Sequence, residues 1–185
     1  MSDSAPLRVS RGFVEVAELA AFGMIALRGD LTDPAMAKAV KATIGLALPG
    51  ICGIESGADR SVGWMSPDEL LLLLPYDQVQ NTLIALDNTL KGKHYLAADV
   101  SDSRAVFRIR GARARDVLAK LTPTDLSPKV FQPGMLRRSR AAQVAAAFWI
   151  SGADEFTLVC FRSGADYMFG LLQVSVATGG EVGLY

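Results

Sequence analysis

Two cysteines and one histidine are all that the 185 residues offer to thiol or imidazole chemistry. Cys52 and Cys160 form no C-x-x-C pair and His94 stands alone, so neither a disulfide framework nor a metal-ligand cluster is expected. That scarcity reads as a reduced, cytoplasmic protein. The chain also lacks G-x-G-x-x-G, a Walker loop and a flavin fingerprint, which argues against a self-contained redox enzyme. Charge of one sign is missing too. Lys and Arg number 19 against 19 Asp and Glu, leaving no footprint for nucleic acid and no electrostatic membrane clamp. The longest apolar runs, Leu70 to Leu74 and Val144 to Ile150, fall well short of the roughly 20 residues that cross a bilayer. Asp3 sits where a secretory signal would carry positive charge, so export is not expected.

What is present is apolar: half of all residues are hydrophobic. A chain of this length buries a core without staples, and one compact body over 1–185 is expected. The apolar surplus fits a generous core and fits equally well a surface buried against another chain.

The patterning repeats. Met24 to Arg28 reads as a strand ending at Gly29, followed by a helix with Asp33 as cap, Pro34 at its first position and Met36, Val40 and Ile44 on one face. The stretch "GWMSPDELLLLLP" then reads as a hairpin: Val62 to Met65, turn residues Ser66, Pro67 and Asp68, and Glu69 to Leu74 buried on both faces. Asp77 is placed to cap a second helix with Val79, Leu83, Leu86 and Leu90 inward and Gln80, Thr82, Asp87 and Lys91 on its polar side. The order then returns. Val106 to Arg110 is a strand, and Ala114, Val117, Leu118 and Leu121 mark a helix. A proline-punctuated loop follows, with a short helical turn at Pro123 to Leu126. "AAQVAAAFWISGADEFTLVCF" is a hairpin with Ser151 to Asp154 at its tip, and Ser163 with Asp166 resembles a capping box opening a last helix with Met168, Leu171 and Leu172 inward. Closing strands are expected at Tyr95 to Val100 and at Glu181 to Tyr185. The landmarks keep a steady separation, with Gly29 answering Gly111, Trp64 answering Trp149 and Glu69 answering Glu155. The fold class is therefore α+β, two pseudo-repeated ferredoxin-like βαββαβ halves at about 12–98 and 99–185.

Groups for catalysis are sparse. His94 in "KGKHYL" reads as an exposed loop residue without a nucleophile beside it. Cys160 reads as a buried strand residue and Cys52 as an exposed loop residue, neither with a neighbour that would activate a thiolate. Asp99 and Asp102 could meet Glu15 or Glu18, although a solvated turn is the simpler reading. Arg137, Arg138 and Arg140 are the densest local charge, either the solvated start of a strand or a site for a carboxylate, a phosphate or an acidic partner surface. Trp64 and Trp149 divide likewise between packing and an interface. No catalytic, cofactor-binding or metal residue is assigned. The partner interface is placed at Arg137, Arg138, Trp149 and Trp64.

The run from Asp99, "DVSDSRAVFRIRGARARDVLAKLTPTDLSPKVFQPG", and then "RRSRAAQVAAAFWISGADEFTLVCFRSGADY", together with "WMSPDELLLLLP", resembles the gamma subunits of heterotetrameric sarcosine oxidases. "GARARDVLAKLTPTDLSPKVFQPG" is similar, more distantly, to the folate-binding aminomethyltransferases, the T-protein of glycine cleavage among them. The resemblance implies a T-protein-like folate-binding-domain fold built on paired ferredoxin-like halves. It also implies a small structural subunit of a flavoenzyme that demethylates sarcosine oxidatively to glycine, formaldehyde and hydrogen peroxide. Alpha, beta and delta subunits would be the partners, carrying FAD, FMN and NAD, with tetrahydrofolate as one-carbon acceptor. An isolated chain would be prone to self-association. The alternative is a stand-alone tetrahydrofolate-binding or one-carbon-transfer protein of the same superfamily, and a third is a homo-oligomeric amino-acid-binding regulator.

Overall fold

A computed structural model describes residues 6–20 and 22–184. In chain order the strands are β1 (Arg8–Arg11), β2 (Glu15–Leu19), β3 (Gly23–Gly29), β4 (Ile54–Ser56), β5 (Ser61–Ser66), β6 (Glu69–Leu74), β7 (Tyr95–Asp99), β8 (Arg104–Arg110), β9 (Leu136–Ala141), β10 (Val144–Gly152) and β11 (Glu155–Phe161). The helices are α1 (Pro34–Ile44), α2 (Val79–Thr89), α3 (Ala114–Ala119) and α4 (Ala165–Ser175). They divide into two compact units. The first runs from β3 to Asp102, and the second joins the residues up to Ala20 to the chain from Ser103 onward.

In the first unit the sheet order is β4-β5-β6-β3-β7, every neighbouring pair antiparallel. Strand, helix, hairpin, helix, strand is the expected ferredoxin-like order. α1 forms where the sequence placed it. Asp33 accepts the Ala35 N–H at 2.8 Å, Pro34 loses nothing at N1, and Gly45 ends the helix at φ 84° by donating to the Lys41 carbonyl. Met36, Val40 and Ile44 pack with Ile25 and Leu27 of β3 and with Leu70, Leu72 and Leu74 of β6. All six residues of β6 are buried, as the unbroken leucine run predicts, each leucine contributing about 2 kcal/mol by leaving water.

Two details of this unit depart from the sequence reading. Asp77 caps nothing: a 3-10 turn over Tyr76–Gln78 precedes α2, whose first amides receive no side-chain bond. The turn that follows Pro75 leaves Asp77 exposed, one residue before the N-cap position, which Gln78 occupies. Thr82 lies on the buried side of α2, because the apolar stripe is wider than the i, i+4 positions alone.

The second unit has the order β1-β2-β8-β11-β10-β9, again antiparallel throughout. Its last strand does not come from Glu181 to Tyr185. Glu181 to Leu184 form no strand and Tyr185 lies outside the described residues. β2, from the N-terminal end, pairs with β8 in that position, with Glu15 opposite Arg110 and Leu19 opposite Val106. The strand order of the first unit is thus reproduced by a permuted chain. β2 falls within the stretch 12–98 but hydrogen-bonds to the other sheet, because Val14 and Val16 complete the core there and are covered. The turn between β1 and β2 sits hard against α4. A side chain on Gly12 would strike the Val176 carbonyl, which accepts the Phe13 N–H at 3.1 Å.

The core of this unit is aromatic. Phe131 meets Phe148 edge-on at 5.9 Å and stacks over Phe156 at 6.1 Å. α3 is shorter than its pattern, and Leu121 packs beyond its end. No helical turn forms at Pro123 to Leu126. Asp125 accepts the Ser127 N–H instead, and a tight turn closes from Ser127 to Phe131. The capping box at Ser163 is absent as well. A 3-10 turn over Arg162–Gly164 leads into α4, and Asp166 pairs with Arg8 at 2.8 Å. Leu171 is half-buried and lies off the face that carries Met168 and Leu172.

Candidate partner interface

The arginine run falls on a strand that the sequence reading did not separate. β9 is the outer strand of the second sheet and pairs only with β10. Alternation on a strand sends neighbouring side chains to opposite faces, so the run does not form one cluster. Arg138 and Arg140 stand opposite Ala147 and Ala145, on the face away from the core, while Arg137 stands opposite core residue Phe148. Arg137 lies 5.6 Å above the Phe131 ring and donates to the Leu136 carbonyl at 3.1 Å. Arg138 and Arg140 are exposed, and Arg140 holds Gln143.

The two tryptophans are not equivalents. Each hairpin carries a register shift, between Trp64 and Ser66 in one and between Ile150 and Gly152 in the other. With Glu69 and Glu155 aligned, Trp64 corresponds to Ile150. Trp64 sits opposite Leu70 and Ile150 opposite Phe156, both core residues, whereas Trp149 sits opposite Thr157 on the other face. A one-residue difference therefore places the indoles on opposite faces of their sheets. Trp64 is half-buried and Trp149 is buried.

The remaining chemistry is held in local contacts. Asp99 accepts from the Ser101 amide at 3.0 Å and hydroxyl at 2.6 Å, and Asp102 accepts from Tyr76 at 3.0 Å, which raises the Tyr76 phenol above its ordinary pKa. His94 is exposed at the rim of a surface concavity of about 510 Å³, beside Arg28, Asp30, Asp68 and Leu96. Cys160 is buried, and desolvation pushes its thiol up to about 11 despite the opposing charge of Arg162, so it is no nucleophile at neutral pH. Cys52 is half-buried at φ 57°.

Two acidic groups are central to the second unit, Asp116, which the sequence reading did not name, and Glu18, which it weighed only as a neighbour of Asp99 and Asp102. Glu18 is buried and accepts from both Arg8 and Arg162, the latter at 3.0 Å. Asp116 is buried too and takes two bonds from Arg113, at 2.9 and 2.7 Å. The i, i+3 spacing of Arg113 and Asp116 was a usable signal, but the distance in sequence from Arg8 and Glu18 to Arg162 was not.

Residues 28–178, a span reaching across both units, match the model of the sarcosine oxidase, gamma subunit family. The chain belongs to that family. A gamma subunit of sarcosine oxidase from Arthrobacter sp is 30% identical over 145 residues, covering 77% of this chain and 68% of the relative. Another, from Corynebacterium sp. (strain U-96), is 28% identical, with 78% and 69% covered. Among solved structures, a chain of the heterotetrameric sarcosine oxidase from Corynebacterium sp. U-96 in complex with pyrrole 2-carboxylate superimposes with a TM-score of 0.81 at 23% identity, covering 91% of this chain and 87% of that one. The glycine cleavage system aminomethyltransferase T from Bartonella henselae superimposes with a TM-score of 0.63 at 15% identity over 87% of this chain and 46% of its own. The expected T-protein-like fold with ferredoxin-like halves is the fold of this gamma-family chain.

Proposed function

We propose that the chain is the gamma subunit of a heterotetrameric sarcosine oxidase, a structural and assembly subunit with alpha, beta and delta subunits as its partners. The assembly demethylates sarcosine oxidatively to glycine, formaldehyde and hydrogen peroxide, in the cytoplasm. FAD, FMN and NAD reside on the other subunits, and tetrahydrofolate accepts the one-carbon unit. The observation that carries this reading is the family match over residues 28–178, which takes in all four helices and both hairpins.

Docking contacts are assigned separately in each unit, to Arg137 and Arg138 on the two faces of β9 in the second and to Trp64 on β5 in the first. Arginine and tryptophan supply most of the binding energy where they enter an interface, and an outer strand presents them without rearrangement. Trp149, buried opposite Leu136 on the same face of the sheet as Arg138, contributes by packing there.

Co-expression with the alpha, beta and delta subunits tests the assignment. The expected product is one complex with flavin absorbance that contains this chain. Double substitution Arg137→Ala and Arg138→Ala should weaken incorporation at least about tenfold, the loss of one or two hot-spot contacts. A complex that forms with full activity in the absence of this chain would sink the subunit role, and undiminished incorporation of the double variant would sink the surface alone.

A further inference from the structure

We propose that β7 is a self-pairing edge, through which two copies of this chain join antiparallel so that their first-unit sheets run on as one. The proposal stands on the strand itself and does not depend on the larger subunits.

Outer strands expose unpaired amides and carbonyls, and proteins blunt them with charge, shortness or proline. Three of the four outer strands follow that rule. β1 carries Arg8 and Arg11, β9 carries Arg137, Arg138 and Arg140, and β4 is three residues long with Glu55 at its centre. β7 reads Tyr-Leu-Ala-Ala-Asp, with no lysine, arginine or proline and no register shift against β3. Leu96 stands 56% exposed on it.

The register shows which groups are on offer. The Val100 N–H bonds to the Met24 carbonyl at 2.9 Å, so in an antiparallel ladder Leu96, Ala98 and Val100 turn their main chain toward β3. Tyr95, Ala97 and Asp99 turn theirs outward. Among the described residues no main-chain bond reaches those outward groups. Two copies centred on Ala97 would exchange about six N–H to carbonyl bonds, with Tyr95 opposite Asp99 of the second copy. On the other face Leu96 would be covered by Ala98 of that copy.

Charge selects the occupant. Lys91, Lys93 and His94 precede the strand, and Asp99 and Asp102 end and follow it. Antiparallel self-pairing brings the basic end of each copy to the acidic end of the other, whereas parallel pairing would set like charges together. Lys93 holds Asp33 and Asp102 holds Tyr76 in the single chain, and all four side chains lie at the surface within reach of a neighbour. A second copy is the one partner for which this strand is complementary by construction.

Sedimentation of the full chain over a wide concentration range, with hydrogen exchange on the same samples, tests the proposal. A monomer–dimer equilibrium is expected, with the amides of Tyr95, Ala97 and Asp99 gaining protection as dimer forms. Ala97→Pro removes an outward N–H and leaves the β3 ladder intact, so it should weaken dimerisation more than about tenfold at an unchanged monomer melting temperature. Asp99→Lys, an exposed substitution, should weaken it as well and carries the test if the proline variant does not fold. A chain monomeric at every concentration would overturn the proposal, as would a dimer indifferent to both substitutions. Protection of the β7 amides that appears only when the larger subunits are added would overturn it too, and would assign the edge to them.

Discussion

The first sheet is closed by β7, the strand that follows its own last helix, while the second is closed by β2, which with β1 precedes the rest of that unit. The same strand order is reached from opposite ends of the chain. What the sheet requires is a strand beside β3 or beside β8 with apolar residues on the helix-facing side, and it is indifferent to where the chain supplies one. The consequences differ. β2 is flanked on its far side by β1, whereas no strand lies beyond β7 among the described residues.

The largest effect should therefore come from the N-terminal end. Deleting residues 1–20 strips β8 of one of its two neighbours, removes Val14 and Val16 from the core and takes Glu18 from Arg162. The second unit should lose cooperative folding while amides of the first unit stay protected in hydrogen exchange. Deleting residues 181–185 removes no strand and should cost about 1 kcal/mol or less, the loss of the Gly183 bond to Asp116. Equal effects from the two truncations would contradict the permuted closure.

Core truncation sharpens the likeness instead of the difference. Leu72 in β6 and Leu158 in β11 occupy matching positions, counted from the aligned Glu69 and Glu155, and both are fully buried. Leu72→Ala and Leu158→Ala should each destabilise by about 2–5 kcal/mol. Two-probe denaturation would show whether each loss stays in its own unit. A loss under about 1 kcal/mol at either site would break the equivalence.

Each unit also buries one glutamate, with unequal support. Glu18 accepts from two arginines, while Glu69 has Arg28 at 2.6 Å as its arginine partner. Glu18→Gln takes the carboxylate from Arg162 and leaves Arg8 with Asp166 alone, and should cost about 2–3 kcal/mol, below the range for fully buried pairs because both arginines are partly exposed. Glu69→Gln should cost less. Urea midpoints of the two variants decide the order.

Local chemistry was legible in the sequence and long-range pairing was not. Asp33, Pro34 and Gly45 fix α1 within a dozen residues, and the leucine run can only be a strand buried on both faces, so both were readable. The pairing of β2 with β8 joins residues nearly ninety positions apart, and no pattern in a short strand announces its neighbour. The interface candidates fared according to register. Arg137, Arg138 and Arg140 look like one cluster in sequence, but the pleat divides them between two faces. The tryptophans look like repeat partners because their spacing is within one residue of the true offset, and one residue is enough to exchange faces.

The smallest contrast lies between the thiols. Cys52 is half-buried in a turn of the first unit, and Cys160 is buried in β11 of the second. A thiol reagent at neutral pH should label Cys52 first and reach Cys160 only on unfolding, a difference read by mass spectrometry of timed samples. The Cys160 thiol also makes stability depend on pH. Burial raises its pKa from 9.0 to about 11, so between those values the unfolded chain gives up a proton that the folded chain retains. The unfolded state then binds fewer protons, and folding stability falls as pH rises through that window, having been complete below it. Cys160→Ala should flatten the slope between pH 9 and 11. A slope unchanged by Cys160→Ala would mean that the thiol ionises as readily in the folded sheet as in the open chain.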